Sequence, residues 1–288
     1  MVGGSGLYQM AALQHGQRES IDTPFGKPSG EYTVAELARP GRAALKVVFL
    51  ARHGEGHLKL PSEVDYRANI HGFKQLGVTH LLSVSAVGSL REEIVPGHLV
   101  LPDQFIDRTR GRQSTFFGDG AVGHVQFGEP TTPPFRAMVR DAAKRAGGTV
   151  HDGGTLVVME GPAFSTRAES NLYRSWGASI IGMTALPEAK LAREAELAYA
   201  VLALATDYDC WHLEEVSVEA VIATVHKNVA LAQQTIIELA GALPESTGEL
   251  PYPRACEHAL MTDREKIPAE TRKRLDLIIG HYLSETKP

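Results

Sequence analysis

The chain has 288 residues, 43% of them hydrophobic and 22% charged, and a formal net charge of −5, which suits one large globular domain with an appendage. The acidic balance and the lack of a long basic run exclude a nucleic-acid surface, and the apolar runs are too short for a membrane span. No charged-then-apolar leader opens the chain, and Cys210 and Cys256 make no disulfide framework, so the expected compartment is the cytoplasm.

Met1 and Val2 are followed by the run GGSG. Glycines after a strand turn tightly and present N–H groups to an anion, and the Ser5 hydroxyl adds a donor. Such turns are common, and GGSG has the spacing of neither a dinucleotide nor a P-loop fingerprint. The first strand is unusually short, and a few native residues are expected to precede it.

Residues 45–51 (LKVVFLA) read as a buried strand ending in Arg52-His53-Gly54, with His57 shortly after. Guanidinium grips phosphate as a fork and histidine adds a donor, although the same residues also suit a surface salt bridge. Residues 62–76 carry Val64, Ala68, Phe73 and Leu76 at helical spacing. Residues 78–86 (VTHLLSVSA) form the next strand, which stops at Ser85-Ala86-Val87-Gly88-Ser89.

Residues 181–211 organise the rest. A strand end at Gly182-Met183-Thr184 precedes a helix opening at Pro187 with Glu188, and then an apolar strand (AYAVLALAT) runs into Asp207 and Asp209. A strand buried on both faces reads as a continuous apolar run, and ligands of α/β proteins bind beyond its carboxyl end. In an extended chain Tyr208 points the other way, which puts both carboxylates on one side. A helix cap or a solvated loop would also use these aspartates. Cys210 reads as a small buried thiol. Four strands thus end in hydroxyls and one fixed cation, a set that suits a small tetrahedral anion, inorganic phosphate above all.

Residues 217–243 form a helix with a buried stripe from Val218 through Ile222, Val225 and Val229 to Leu243. Most of that stripe reads as core, and only its first turn, with Val218 and Val221, lies near enough to Trp211 to line a pocket. The segment PYPRACEHAL is a loop by composition. Residues 268–283 then form a helix with Leu275, Ile278, Ile279 and Tyr282 on one face.

GGSG, DTPFGKPS (22–29), ARHGEGH (51–57), SAVGSLREE (85–93), PGHLVLPDQFIDRTRGRQSTFF (96–117), EGPAFSTRAES (160–170), GMTALPEA (182–189) and TDYDCW (206–211) are collinear. Together they resemble the trimeric purine nucleoside phosphorylase family, and within it the branch acting on 5'-methylthioadenosine. The resemblance runs to about Leu243, and TDYDCW discriminates most, since relatives acting on 6-oxopurines carry Asn in this region. It implies an α/β fold: a single domain over 1–243 with a central mixed, partly barrel-like β-sheet flanked by helices. A C-terminal helical extension (244–288) would pack on the domain or on a neighbouring subunit.

The resemblance further implies phosphorolysis of methylthioadenosine to adenine and 5-methylthioribose 1-phosphate, with phosphate as co-substrate and no metal or organic cofactor. The implied catalytic pair is Asp207, bonding purine N7 and the exocyclic amine, with Asp209 supporting it. The implied phosphate shell is Ser5, Arg52, His53, Ser85 and Thr184, with Ala86 as a wall between phosphate and sugar. Met183 would floor the ribose, Phe164 would stack on the purine, and His57 would sit on the phosphate side or serve the structure. Val218 and Val221 would receive the 5' group, and His124 would reach the pocket of a neighbouring subunit, which implies a homotrimer or a dimer of trimers. A 6-oxopurine or methylthioinosine phosphorylase is the near alternative, and a catalytically silent nucleoside-binding protein is the alternative of another class.

Overall fold

A computed structural model describes residues 1–4, 6, 7, 10, 13, 15–212, 218–244 and 254–284, with the side chains of 218–223 and 284 left aside. Its spine is strand β11 (Ala198–Tyr208), buried from residue 198 to 206. Alternation sends Tyr199, Val201, Ala203 and Ala205 into one apolar cluster and Ala198, Ala200, Leu202 and Leu204 into a second. A strand covered on both faces needs no polar side chain, which is why it reads as an unbroken apolar run.

Strand β5 (His80–Ser89) pairs in parallel with β11 along nearly its whole length. The sheet branches there. On one side β5 meets β1 (Val2–Gly3), which leads to β4 (Arg42–Ala51), β3 (Tyr32–Arg39) and β2 (Gln17–Glu19). On the other it meets β10 (Ile180–Gly182), β9 (Thr155–Met159) and β7 (Gln104–Arg108), while β11 continues to β6 (Leu99–Leu101) and β8 (Val150–Asp152). Among the described residues the result is an eleven-stranded mixed sheet.

Among the described residues the α-helices are α1 (Tyr66–Gln75), α2 (Pro133–Arg145), α3 (Arg167–Ser175), α4 (Ala185–Glu194), α5 (Val218–Ala242) and α6 (Ala269–Ser284). Two boundaries differ from the sequence reading. Helix α1 starts at residue 66 instead of 62, because Asp65 caps it by accepting the Ala68 amide while Val64 stays extended. Strand β5 runs past Ala86 to Ser89, because its end pairs with both β10 and β11.

Helix α6 buries Leu275, Ile278, Ile279 and Tyr282 in the same cluster as Tyr32, Phe73 and Leu191, so the C-terminal helix packs on the core of its own chain. The Tyr282 hydroxyl donates to Glu196 at 2.8 Å. No helix among the described residues is long and apolar enough to cross a membrane.

Candidate active site

The carboxyl ends of β4, β5, β10 and β11 open onto one cleft of about 530 Å³. Arg52, His53 and His57 enter it from beyond β4, Ser85, Ala86 and Gly88 from β5, Met183 and Thr184 from beyond β10, and Asp207 and Asp209 from β11. Phe164 stands at its rim and is 84% exposed. The structure therefore brings together most of the residues singled out in the sequence.

On the anion side, Arg52 is buried against an equally buried Glu188, with Nε donating to Oε2 at 2.8 Å. Its Nη2 donates to the Ser83 hydroxyl at 2.7 Å and its Nη1 to the Val84 carbonyl at 3.2 Å, which leaves an Nη1 hydrogen for a ligand. The Tyr199 hydroxyl donates to the other oxygen of Glu188 at 3.0 Å. Arg52 and Glu188 cancel in charge. Burial lowers the pKa of His53 to about 4, helped by the nearby Arg52 and His57 charges, so its ring is neutral. The His53 Nδ1 lies 2.9 Å from the Lys59 carbonyl, which makes it the donor and leaves Nε2 as a free acceptor. This part of the cleft thus offers hydroxyls and oriented dipoles, with the buried Arg52 charge balanced by Glu188.

On the opposite side, a bulge after Ala205 shifts the β11 register so that Asp207 faces Gly88. Glycine leaves room there for a close approach. A Cβ on Gly88 would meet Ile181 at 3.1 Å, an Asp207 oxygen at 3.3 Å and the Asp209 Cβ at 3.4 Å. The Thr206 hydroxyl donates to Asp207 Oδ2 at 2.6 Å. Burial raises the pKa of Asp207, and the Asp209 charge adds to it; burial raises Asp209 as well. Asp209 is held by its amide on the Ser89 carbonyl at 3.0 Å, to which Trp211 Nε1 also donates, and its Oδ2 is buried without a hydrogen-bond partner. Tyr208 turns away to stack on His212. Two carboxyls whose pKa values are raised by burial beside one cleft suit hydrogen-bond and proton donation.

Some expected residues lie elsewhere. Ser5 and the side chains of Val218 and Val221 fall outside the described residues, although Val225 on the same helix does line the cleft. His124 lines a separate cavity with Phe117, Val122 and Glu194, so this chain does not bring it to its own cleft. Sequence reasoning missed the roles of Glu188, Tyr199 and Thr206. For Glu188 the available signal was a carboxylate directly after Pro187, at a helix start that faces the strand ends.

Residues 1–240 match the family described as "Phosphorylase superfamily". The chain belongs to this family. Among curated members of the phosphorylase superfamily it is 57% identical to the S-methyl-5'-thioadenosine phosphorylase of Geobacter sulfurreducens, covering 98% of each chain. It is 55% identical to the enzyme of the same name from Synechocystis sp., covering 98% of this chain and 86% of that one. A solved methylthioadenosine phosphorylase from an antarctic soil metagenomic library superposes with a TM-score of 0.90 at 49% identity, covering 96% of each chain. A mutant adenosine/methylthioadenosine phosphorylase from Schistosoma mansoni, in complex with methylthioadenosine, gives 0.78 at 36% identity, covering 86% of this chain and 92% of that one. This likeness to phosphorylase-superfamily members extends well past Leu243 and takes in the C-terminal helix.

Proposed function

We propose that the protein is a phosphorylase that cleaves methylthioadenosine with inorganic phosphate, releasing adenine and 5-methylthioribose 1-phosphate. The observation that supports this reading is the cleft itself, whose lining includes Asp207 and Asp209 together with Arg52, His53, Ser85 and Thr184. The activity named for the relatives fits that chemistry.

A phosphate oxygen attacks C1' as the C1'–N9 bond breaks, and the bonding pair leaves with the purine. That base needs a proton or a strong hydrogen bond at N7 while the sugar carries cationic character. Asp207, whose pKa is raised by burial and by the Asp209 charge, supplies it. Carboxyl groups at that edge pair the exocyclic amine of adenine and repel the carbonyl of a 6-oxopurine. Neutral His53, through Nε2, accepts a phosphate hydroxyl, Ser85, Thr184 and the Arg52 Nη1 donate to phosphate oxygens, and Ser5 adds a further donor. Met183 lies beneath the ribose and Ala86 separates sugar from phosphate. Phe164 closes on the base, and Val218, Val221 and the His124 of a neighbouring copy enclose the 5' group in a homotrimer or dimer of trimers. The protein works in the cytoplasm and uses no cofactor besides phosphate as co-substrate.

Incubation with methylthioadenosine, with and without phosphate, tests the reading. Adenine release that requires phosphate is expected; release without phosphate would mean a hydrolase, and no release with either would overturn the proposal.

A further inference from the structure

Arg112 lies in the RTRGRQ stretch after β7, outside every role described above, and its side chain is only 3% exposed. Its donors fan out to two walls of the cleft. Nε faces the two carboxylate oxygens of Glu160 at 3.1 and 3.0 Å, and Nη2 donates to the Glu160 carbonyl at 2.8 Å. Nη1 donates to the Met183 carbonyl at 2.7 Å and the Leu186 carbonyl at 2.9 Å.

Those two carbonyls flank Thr184, and their need for a donor follows from the sequence. A helix through Met183 would satisfy its carbonyl with the amide four residues on, but residue 187 is proline and has no N–H. Leu186, at φ −119° and ψ 137°, is not helical, so the chain makes a separate turn before α4 proper begins. Buried main-chain acceptors in such a turn need an outside donor, and a fixed guanidinium fork reaches two of them at once. The wall it pulls against is the end of β9. There Met159 and Pro162 line the cleft, and Gly161 approaches Met183 so closely that a Cβ would lie 2.6 Å from its sulfur.

We infer that Arg112 is a positioning residue of this site, acting through Met183, Thr184 and Glu160 without touching substrate, an inference that rests on the phosphorylase reading. By holding the turn against the β9 end, it keeps the ribose floor and a phosphate-binding hydroxyl in register. A shift of about 1 Å in such groups can cost roughly 100-fold in rate.

The test uses the full chain carrying Arg112→Ala or Arg112→Lys, with rates measured over both co-substrates, phosphate and adenine titrated by calorimetry, and folding followed by circular dichroism. Arg112→Ala is expected to lose on the order of 100-fold in kcat/KM, with KM raised for nucleoside and phosphate together. Guanidinium ion at millimolar levels should restore part of the loss where ammonium does not. Arg112→Lys, which keeps the charge and loses the fork, should remain impaired. Constants like wild type in Arg112→Lys, a loss in Arg112→Ala that follows only the folded fraction, or equal rescue by both cations would overturn the inference. If neither variant folds, Glu160→Gln, which keeps the shape of the partner, should still raise both KM values, and unchanged constants would count against it. Should wild-type protein release no adenine, the phosphorylase reading falls, and weakened phosphate binding in the variants still decides this one.

Discussion

Replacing Arg52 separates two roles that the sequence merged into one. Arg52→Met would leave the Glu188 carboxylate buried, with the Tyr199 hydroxyl as its remaining hydrogen-bond donor among the described residues. Breaking a buried pair by removing one partner costs about 3–5 kcal/mol, because the remaining charge is uncompensated. In a chain of 288 residues, whose unfolding entropy is about 0.6 kcal/mol/K, that lowers Tm by roughly 5–8 °C. The same change removes a charge-assisted hydrogen bond to phosphate, about 1.5–3 kcal/mol, or roughly 10- to 150-fold in its KM. The double variant Arg52→Met with Glu188→Gln removes both charges and leaves Tyr199 an acceptor. Its Tm should return most of the way to wild type while the KM for phosphate stays raised. Thermal unfolding by circular dichroism and phosphate-dependent adenine release read the two quantities independently. A single variant with wild-type Tm would show that Glu188 is not held by Arg52, and a double variant with normal phosphate KM would remove Arg52 from the anion shell.

Asp207→Asn should lower kcat on adenine nucleosides and narrow their preference over 6-oxopurines. A polar partner left unsatisfied can discriminate by on the order of 10⁴-fold, so kcat/KM for methylthioadenosine against inosine in wild type and variant is the comparison; a wild-type preference for inosine would refute the assignment. Thr206→Val removes a donor that favours the ionised form of Asp207, so its pKa rises further and the fall of kcat on the basic side should move to higher pH; an unmoved limb would deny Asp207 its acid role. Burial raises the pKa of Glu194 to about 7, offset by the Phe116 amide and the Thr115 hydroxyl, and an unfolded carboxyl titrates near 4.3. Its protonated form thus favours the fold: that stability is fully present below about pH 4.3 and is lost as pH rises through 7, up to about 3 kcal/mol in all. Tm should therefore fall from pH 5.5 to 8 in wild type and fall less steeply in Glu194→Gln.

The features legible in the sequence were those written in a single segment's pattern. The apolar run of β11, the aspartates at its end and the stripe Leu275–Ile278–Ile279–Tyr282 depend on period and neighbours alone. What escaped depends on partners distant in sequence. Ser85 and Gly88 looked like the end of a strand because glycine reads as a break, yet pairing to β10 and β11 carries the strand through them. Glu188 lies 136 residues from Arg52 and Arg112 lies 71 from Met183, so no local pattern reveals either contact. The helical spacing of Val64 with Ala68 placed the start of α1 too early, whereas Asp65 caps it.

The bulge after Ala205 explains why the motif works as a unit. In a regular strand consecutive side chains point to opposite faces, so Thr206 and Asp207 could not both reach one cleft. Asp207 instead pairs opposite Gly88, directly after Ala205 pairs with Val87, and Thr206 is the extra residue. Its hydroxyl then lies over the Val87 carbonyl at 3.3 Å and against Asp207 at 2.6 Å, and both residues line the cleft. The Ala205 carbonyl at the bulge accepts from the Gly97 amide at 2.8 Å and from the buried Asn228 amide at 2.9 Å. Asn228 lies one turn beyond Val225 on α5, the helix whose first turn was assigned to the 5' group of the substrate. On the proposed reading, the helix assigned to one end of the nucleoside also anchors the strand that would aim the acid at the other, so the carboxyl geometry depends on how α5 is seated.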